Sequence, residues 1–125
     1  MDKVDVKTIE QIEAYSGPHA IAGIRFRQAR QQLGVTAWGM NVLELDPHCD
    51  GYPEHDHKED GQEEVYVVLR GSLLIVIEGQ EVLLPCGSFI RVAPEQKRKL
   101  VTRESGAAVL ALGGTPGKPY EVRAF

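Results

Sequence analysis

His55 and His57 stand one residue apart, and a six-residue stretch, KEDGQE, separates His57 from Glu64. Successive side chains of an extended chain point to opposite faces, so residues two apart share a face. If His55 and His57 lie on a strand, both imidazoles point the same way. A carboxylate returning on the next strand then completes a three-donor cluster. Two imidazoles and a carboxylate suit a divalent first-row transition metal, and iron, manganese, nickel, copper and zinc all accept such donors. Glu64 opens the apolar run VYVVL, and Tyr66 and Val68 share its parity, so the three are expected to face one cavity. Glu63 competes with Glu64 for the role of the carboxylate.

The stretch from Gly51 to Gly71 resembles the first motif of the cupin superfamily, usually written G-x5-H-x-H-x(3–4)-E-x6-G. The histidine pair is present, and Glu64 stands at the motif's distance from Gly71, which favours it over Glu63. The sequence departs from the motif twice. Cys49 holds the leading glycine position, and the gap before Glu64 is six residues rather than three or four. That gap is polar and contains Gly61, so it reads as a lengthened hairpin loop. The resemblance spans about positions 35–112. It implies an all-β, cupin-type antiparallel barrel or jelly roll, His55, His57 and Glu64 as metal ligands, and a homodimer.

The second cupin motif, G-x5-P-x-G-x2-H-x3-N, can be laid on the chain from Gly87 without a gap. Its proline position then holds Ala93, its second glycine Glu95, its histidine Arg98 and its asparagine Thr102. The layout matches and the chemistry does not, because the histidine of this motif is normally the fourth metal ligand. Arginine cannot replace it: the guanidinium stays protonated and has no lone pair to give. Three readings follow. The metal is held by His55, His57 and Glu64, and Arg98 binds an anionic ligand with Tyr66 beside it. Or Arg98 pairs with Glu64 and the metal site is dead. Or the barrel is only a binding or structural module. The histidine pair is hard to explain without a metal, which favours the first.

The other candidates read as structure. His19 lies in a Gly-Pro-His turn, an exposed loop. His48 and Cys49 follow Pro47 in what reads as a surface loop, and Cys86 is expected to be inert at a turn. Trp38 and Met40 share a parity and read as core.

Around these residues the chain divides into an arm (1–34), a barrel core (35–112) and a tail (113–125). In the arm, Thr8 and Gln11 form a capping-box pattern, predicting a short helix that ends near Tyr15 before Ser16-Gly17-Pro18. A strand is expected over Ile24–Arg27, and a helical turn ahead of Gly34. From Val35 the pattern is β: Val35–Leu45, Gly51–His57, Glu64–Leu69, a turn at Arg70-Gly71, Leu73–Ile77, a tight hairpin at Glu78-Gly79, Glu81–Leu84, Phe89–Val92, Lys99–Thr102 and Ala107–Leu112. The tail is expected on the surface, with a short edge strand at its end. Short strands at this spacing imply a sandwich or barrel. LLIVI and VYVVL hardly alternate, so both faces of these strands should be covered, by the arm or by a second subunit.

The chain has 125 residues, enough for one domain with its own core, and a formal charge of −4. It has no basic cluster interleaved with aromatics, so nucleic acid is not an expected partner. LLIVI, the longest apolar run, is too short to span a bilayer. The charged amino terminus carries no apolar core, so a cytoplasmic protein with two reduced cysteines is expected. The functional expectation is metal-dependent oxygenase or isomerase chemistry on a small anionic molecule. The alternative is a metal-free ligand-binding module without activity.

Overall fold

A computed structural model describes residues 3–122, and within it every strand pairing is antiparallel. Seven strands form: β1 (Ile24–Arg27), β2 (Gly39–Leu45), β3 (Glu63–Ile77), β4 (Gln80–Pro85), β5 (Phe89–Val92), β6 (Arg98–Val101) and β7 (Ala107–Gly114). A 3-10 turn (Ile9–Gln11) and one short helix, α1 (Ala29–Leu33), precede β2. The strand order is β1-β2-β7-β3-β4, with β5 and β6 also pairing to β3. This is the expected all-β barrel with a short helical amino-terminal segment. No helix among the described residues is long and apolar enough to cross a membrane.

β3 is the spine. Its first half pairs β7 and β5, and its second half pairs β4 and β6. The turn expected at Arg70-Gly71 is not a turn. β3 runs on through it with a bulge, where Val68 pairs Val109 and Arg70 already pairs Ala108. One extra residue in a strand reverses its parity. Tyr66 and Val68 point inward before the bulge, and Leu73 and Ile75 point inward after it, all four fully or almost fully buried. Gly71 sits at φ 72°, and a Cβ there would lie 1.9 Å from the Gly106 carbonyl oxygen, so glycine is the residue that permits this bend.

The core fills with the inward set: Leu43 and Leu45 of β2, Val92 of β5, Leu100 of β6, and Ala107 and Val109 of β7. Glu78 and Gly79 both take positive φ and close the expected two-residue hairpin between β3 and β4.

The remaining departures are local. β2 begins at Gly39, four residues after its expected start. The Thr8 N–H does donate to Gln11 Oε1 at 2.9 Å, but the helix ends at Gln11 rather than near Tyr15. The chain then turns extended to bury Ile12 and to bridge Ala14 to Arg27 of β1. Ile9 and Ile12 pack with Ala29 over Val42, Met40 and Leu110. The arm therefore covers the outer face of β2 and β7, not that of LLIVI. Trp38, expected in the core, is 48% exposed. Cys49 is a correction to the surface-loop reading: it is buried in the core, because its N–H donates to Thr102 Oγ1 and the Thr102 N–H donates back to its carbonyl. His48, His19 and Cys86 are exposed. Of the tail, Gly113 and Gly114 belong to β7, and residues 115–122 form no further strand. The edge strand expected at its very end reaches into 123–125, which lie outside the described residues.

Candidate metal centre

His55 and His57 are not on a regular strand. They lie on an extended segment held to the start of β6 by a single bridge. The His55 N–H donates to the Arg98 carbonyl at 3.1 Å, the Arg98 N–H returns to the His55 carbonyl at 2.9 Å, and the His57 N–H donates to the Pro94 carbonyl at 2.8 Å. Extended backbone is enough to keep the two-residue parity, and both rings face the barrel interior beside Glu64. One donor atom from each of His55, His57 and Glu64 lies within 4.8 Å of the others. The lengthened loop turns through Gly61, at φ 69°, and delivers Glu63 and Glu64 to β3. Glu63 points outward and accepts from Arg91 Nε at 3.0 Å. Glu64 is the inward carboxylate.

The imidazoles are oriented by their far nitrogens. His55 Nδ1 lies 3.0 Å from the Pro53 carbonyl, which can only accept, so Nδ1 carries a proton and Nε2 is the nitrogen left to face Glu64. His57 Nδ1 lies 3.1 Å from Asp60 Oδ1, the carboxylate–histidine arrangement that fixes a metal-ligating ring. Both Nε2 atoms then turn to Glu64 Oε1, His57 at 3.1 Å and His55 at 3.8 Å. Asp60 is itself fixed, by Gln62 Nε2 at 3.1 Å on its carboxylate and by Thr115 Oγ1 at 2.9 Å on its carbonyl. A donor set of two oriented Nε2 atoms and one carboxylate oxygen fits a divalent first-row metal.

Burial alone would push the Glu64 carboxyl up. Contacts from His55, His57 and the Tyr66 hydroxyl outweigh it and hold the group well below the usual carboxylate range. The hydrogen bond to Glu64 raises the His57 imidazole against its burial, with Asp60 adding to the rise.

No family model matches the sequence, and no curated protein matches it. Solved structures match the fold. A cupin protein from Bacteroides fragilis is 26% identical over 86% of this chain and 90% of its own, with a TM-score of 0.66. The chain has the cupin fold. Two further cupin-fold structures are a sugar phosphate isomerase from Silicibacter pomeroyi and a predicted oxalate decarboxylase from Thermotoga maritima. The first is 23% identical over 90% of this chain and 77% of its own, with a TM-score of 0.75. The second is 16% identical over 87% and 97%, with a TM-score of 0.66.

In this cupin-fold chain a cavity of about 630 Å³ opens over the three donors, which form part of its wall with Tyr52, Asn41 and Gln62. Arg98 and Tyr66, expected from sequence to meet a ligand, are fully buried behind Glu64 instead. Arg98 Nη1 donates to Glu64 Oε1 at 3.3 Å and Nη2 to the Ala93 carbonyl at 3.0 Å, while the Tyr66 hydroxyl donates to Glu64 Oε1 at 2.7 Å. Arg98 points inward because it pairs with Ile77, whose parity after the bulge is the inner one.

Three residues of the site escape the sequence reading. Asp60 is hidden in the polar KEDGQE loop. Asn41 had a signal, a lone amide sharing parity with the apolar Leu43 and Leu45. Tyr52 lies inside the motif stretch, where no spacing rule singles it out. Burial and the nearby Glu64 charge raise the Tyr52 phenol well above its ordinary value, so it stays a neutral hydroxyl, hydrogen-bonded to Tyr66, while Tyr52 lines the cavity.

Proposed function

We propose that this cupin-fold chain holds a divalent transition metal through His55 Nε2, His57 Nε2 and Glu64, and uses it in oxygenase or isomerase chemistry on one small molecule bound in the cavity. The observation that carries the reading is the tethering of both Nδ1 atoms, which turns both Nε2 atoms toward one carboxylate oxygen. The enzymatic descriptions of the Silicibacter and Thermotoga proteins support small-molecule chemistry for the same fold. A bound metal would supply Lewis acidity to a ligand oxygen.

The chain's own residues do the rest. Asp60 and the Pro53 carbonyl hold the imidazole protons at Nδ1. Tyr66 and Arg98 fix Glu64 and keep it ionised. Tyr52 lines the cavity beside the apolar side chains that meet the ligand.

One observation favours a second reading. Arg98 already neutralises Glu64, so the charge of the carboxylate is balanced without a metal and the barrel can serve as a plain binding module. Metal content decides between the two. Protein made without a histidine tag or added metal, analysed by plasma mass spectrometry, is expected to carry near-stoichiometric metal. The double variant His55→Ala/His57→Ala should lose it. Metal-free parent protein that also fails to take up iron, manganese, nickel, copper or zinc would leave the binding-module reading.

A further inference from the structure

The wall of the cavity narrows the ligand class, an inference that rests on the metal reading above. Among the described residues no lysine or arginine lines the cavity. Its polar groups, apart from the three donors, are Asn41, Gln62, His19 and tyrosine hydroxyls, and its sides are apolar, with Ile24, Phe26 and Leu43 among them. Among the described residues the guanidinium at the centre, that of Arg98, is spent on Glu64 and closed off from the cavity.

The fixed charges behind the wall can be counted. Arg98 cancels Glu64, and Asp60 against His57 leaves one negative charge. A divalent ion among neutral imidazoles turns that surplus into a single positive one. The centre then balances one negative charge on a ligand. A second would rest unpaired against apolar side chains, which is costly wherever water does not reach it.

The body of the ligand is also constrained. Tyr52, Phe26 and Tyr120 present rings to the cavity, and planar groups pack on such rings in offset or edge-on contact. Tyr120 is held in place, with the Arg30 guanidinium 5.7 Å from its ring centre on one side. On the other its ring lies so near Gly39 that a Cβ there would come within 2.7 Å. At about 630 Å³ the cavity admits a ring-sized molecule with substituents.

We infer that the site takes a small molecule with one negative charge on an apolar, ring-sized body, and rejects phosphate monoesters and dicarboxylates. The test uses probes that share a ring and differ in charge: benzyl alcohol, benzoate, phthalate and phenyl phosphate. Each is titrated by calorimetry into zinc-loaded protein and into chelator-treated protein, after zinc binding itself has been measured. Zinc-loaded protein should bind benzoate about tenfold or more tighter than phthalate or phenyl phosphate, equivalent to about 1.4 kcal/mol. Phthalate or phenyl phosphate equalling benzoate, or benzoate failing to bind at millimolar concentration, overturns the inference.

Failure of zinc to bind would be a failure of the metal reading and is seen separately. In that case the wall alone should prefer benzyl alcohol to every anion, and the opposite preference overturns the charge argument too. Asn41→Arg places a cation on the wall and should bring phthalate level with benzoate. An unchanged preference in the folded variant means the anions bind elsewhere and also overturns it.

Discussion

Arg98 Nη1 lies 3.3 Å from Glu64 Oε1, the same oxygen that faces His57 Nε2 at 3.1 Å. A permanent cation therefore shares the carboxylate that a metal would use, and its Nε has no hydrogen-bond partner among the described residues. A unit positive charge opposes a second one by roughly 4 kcal/mol at ~4 Å with an effective dielectric of ~20. The ion pair with Glu64 reduces that figure. Arg98→His removes the fixed charge and offers a fourth nitrogen, so it should bind zinc more tightly than the parent. Arg98→Ala should gain less. It also leaves Glu64 without its partner, a change that costs about 3–5 kcal/mol when a buried pair is broken. Competitive zinc titration and thermal melts of the three proteins check this. Equal zinc affinity in parent and folded Arg98→His would sink it.

Asp60 touches no metal donor atom, yet it holds His57 through Nδ1. Asp60→Asn keeps the shape and lets the ring swing or change tautomer. Zinc affinity should fall about 10–100-fold, the usual cost of losing such an outer partner. The melting temperature of the metal-free protein should change far less. A parallel collapse of stability would show that Asp60 serves the loop, through Gln62 and Thr115, rather than the imidazole.

What the sequence discloses here follows strand parity. His55, His57 and Glu64 could be placed on one face because extended backbone repeats every two residues, even where no regular strand forms. The inward direction of Tyr66 and Val68 follows from the same rule. Parity fails at Leu69, because a bulge inserts a residue and a glycine at a bulge looks like a glycine at a turn. The turn expected at Arg70-Gly71 is the result. Asp60 was illegible for another reason: a carboxylate in a polar loop is ordinary, and only the fold brings it to His57. The burial of Cys49 depends on Thr102, fifty-three residues away, which no local pattern reports.

The exposed apolar groups lie mainly outside the barrel. Phe89, 75% exposed, stands on the outer face of β5 opposite Val67. A groove of about 710 Å³ runs beside it, lined by Trp38, Met40, Val65 and Leu112. Arg91 and Glu63 flank the groove as one exposed pair of opposite charges, so a two-fold copy that sets each Arg91 against the other Glu63 meets complementary charge. The homodimer is accordingly proposed through this face rather than through LLIVI or the arm. Light scattering at micromolar concentration should give about twice the 13.8 kDa chain mass. Val65→Asp should give a folded monomer. A monomeric parent, or an unchanged dimer in Val65→Asp, counts against this interface.

The two titrating partners at the centre set opposite pH trends with and without metal. In metal-free protein the His57 pKa is raised, first by its hydrogen bond to Glu64, and burial does not undo the rise. Its stabilising contribution is complete below the unfolded value of about 6.5 and is lost as pH climbs through the folded value. Glu64 is depressed, so its contribution is present above about 4.5 and fails only when pH falls below the ordinary carboxylate range. The melting temperature of chelator-treated protein should therefore decline from about pH 6 upward. Zinc needs His57 without its proton, so zinc affinity and the stability it confers should grow over the same interval. Thermal melts between about pH 5 and pH 9, with chelator and with zinc, should show curves that diverge as pH rises. His57→Gln should flatten both. A chelator curve that rises with pH, or two curves that stay parallel, would mean that the His57–Glu64 contact is not the one that titrates.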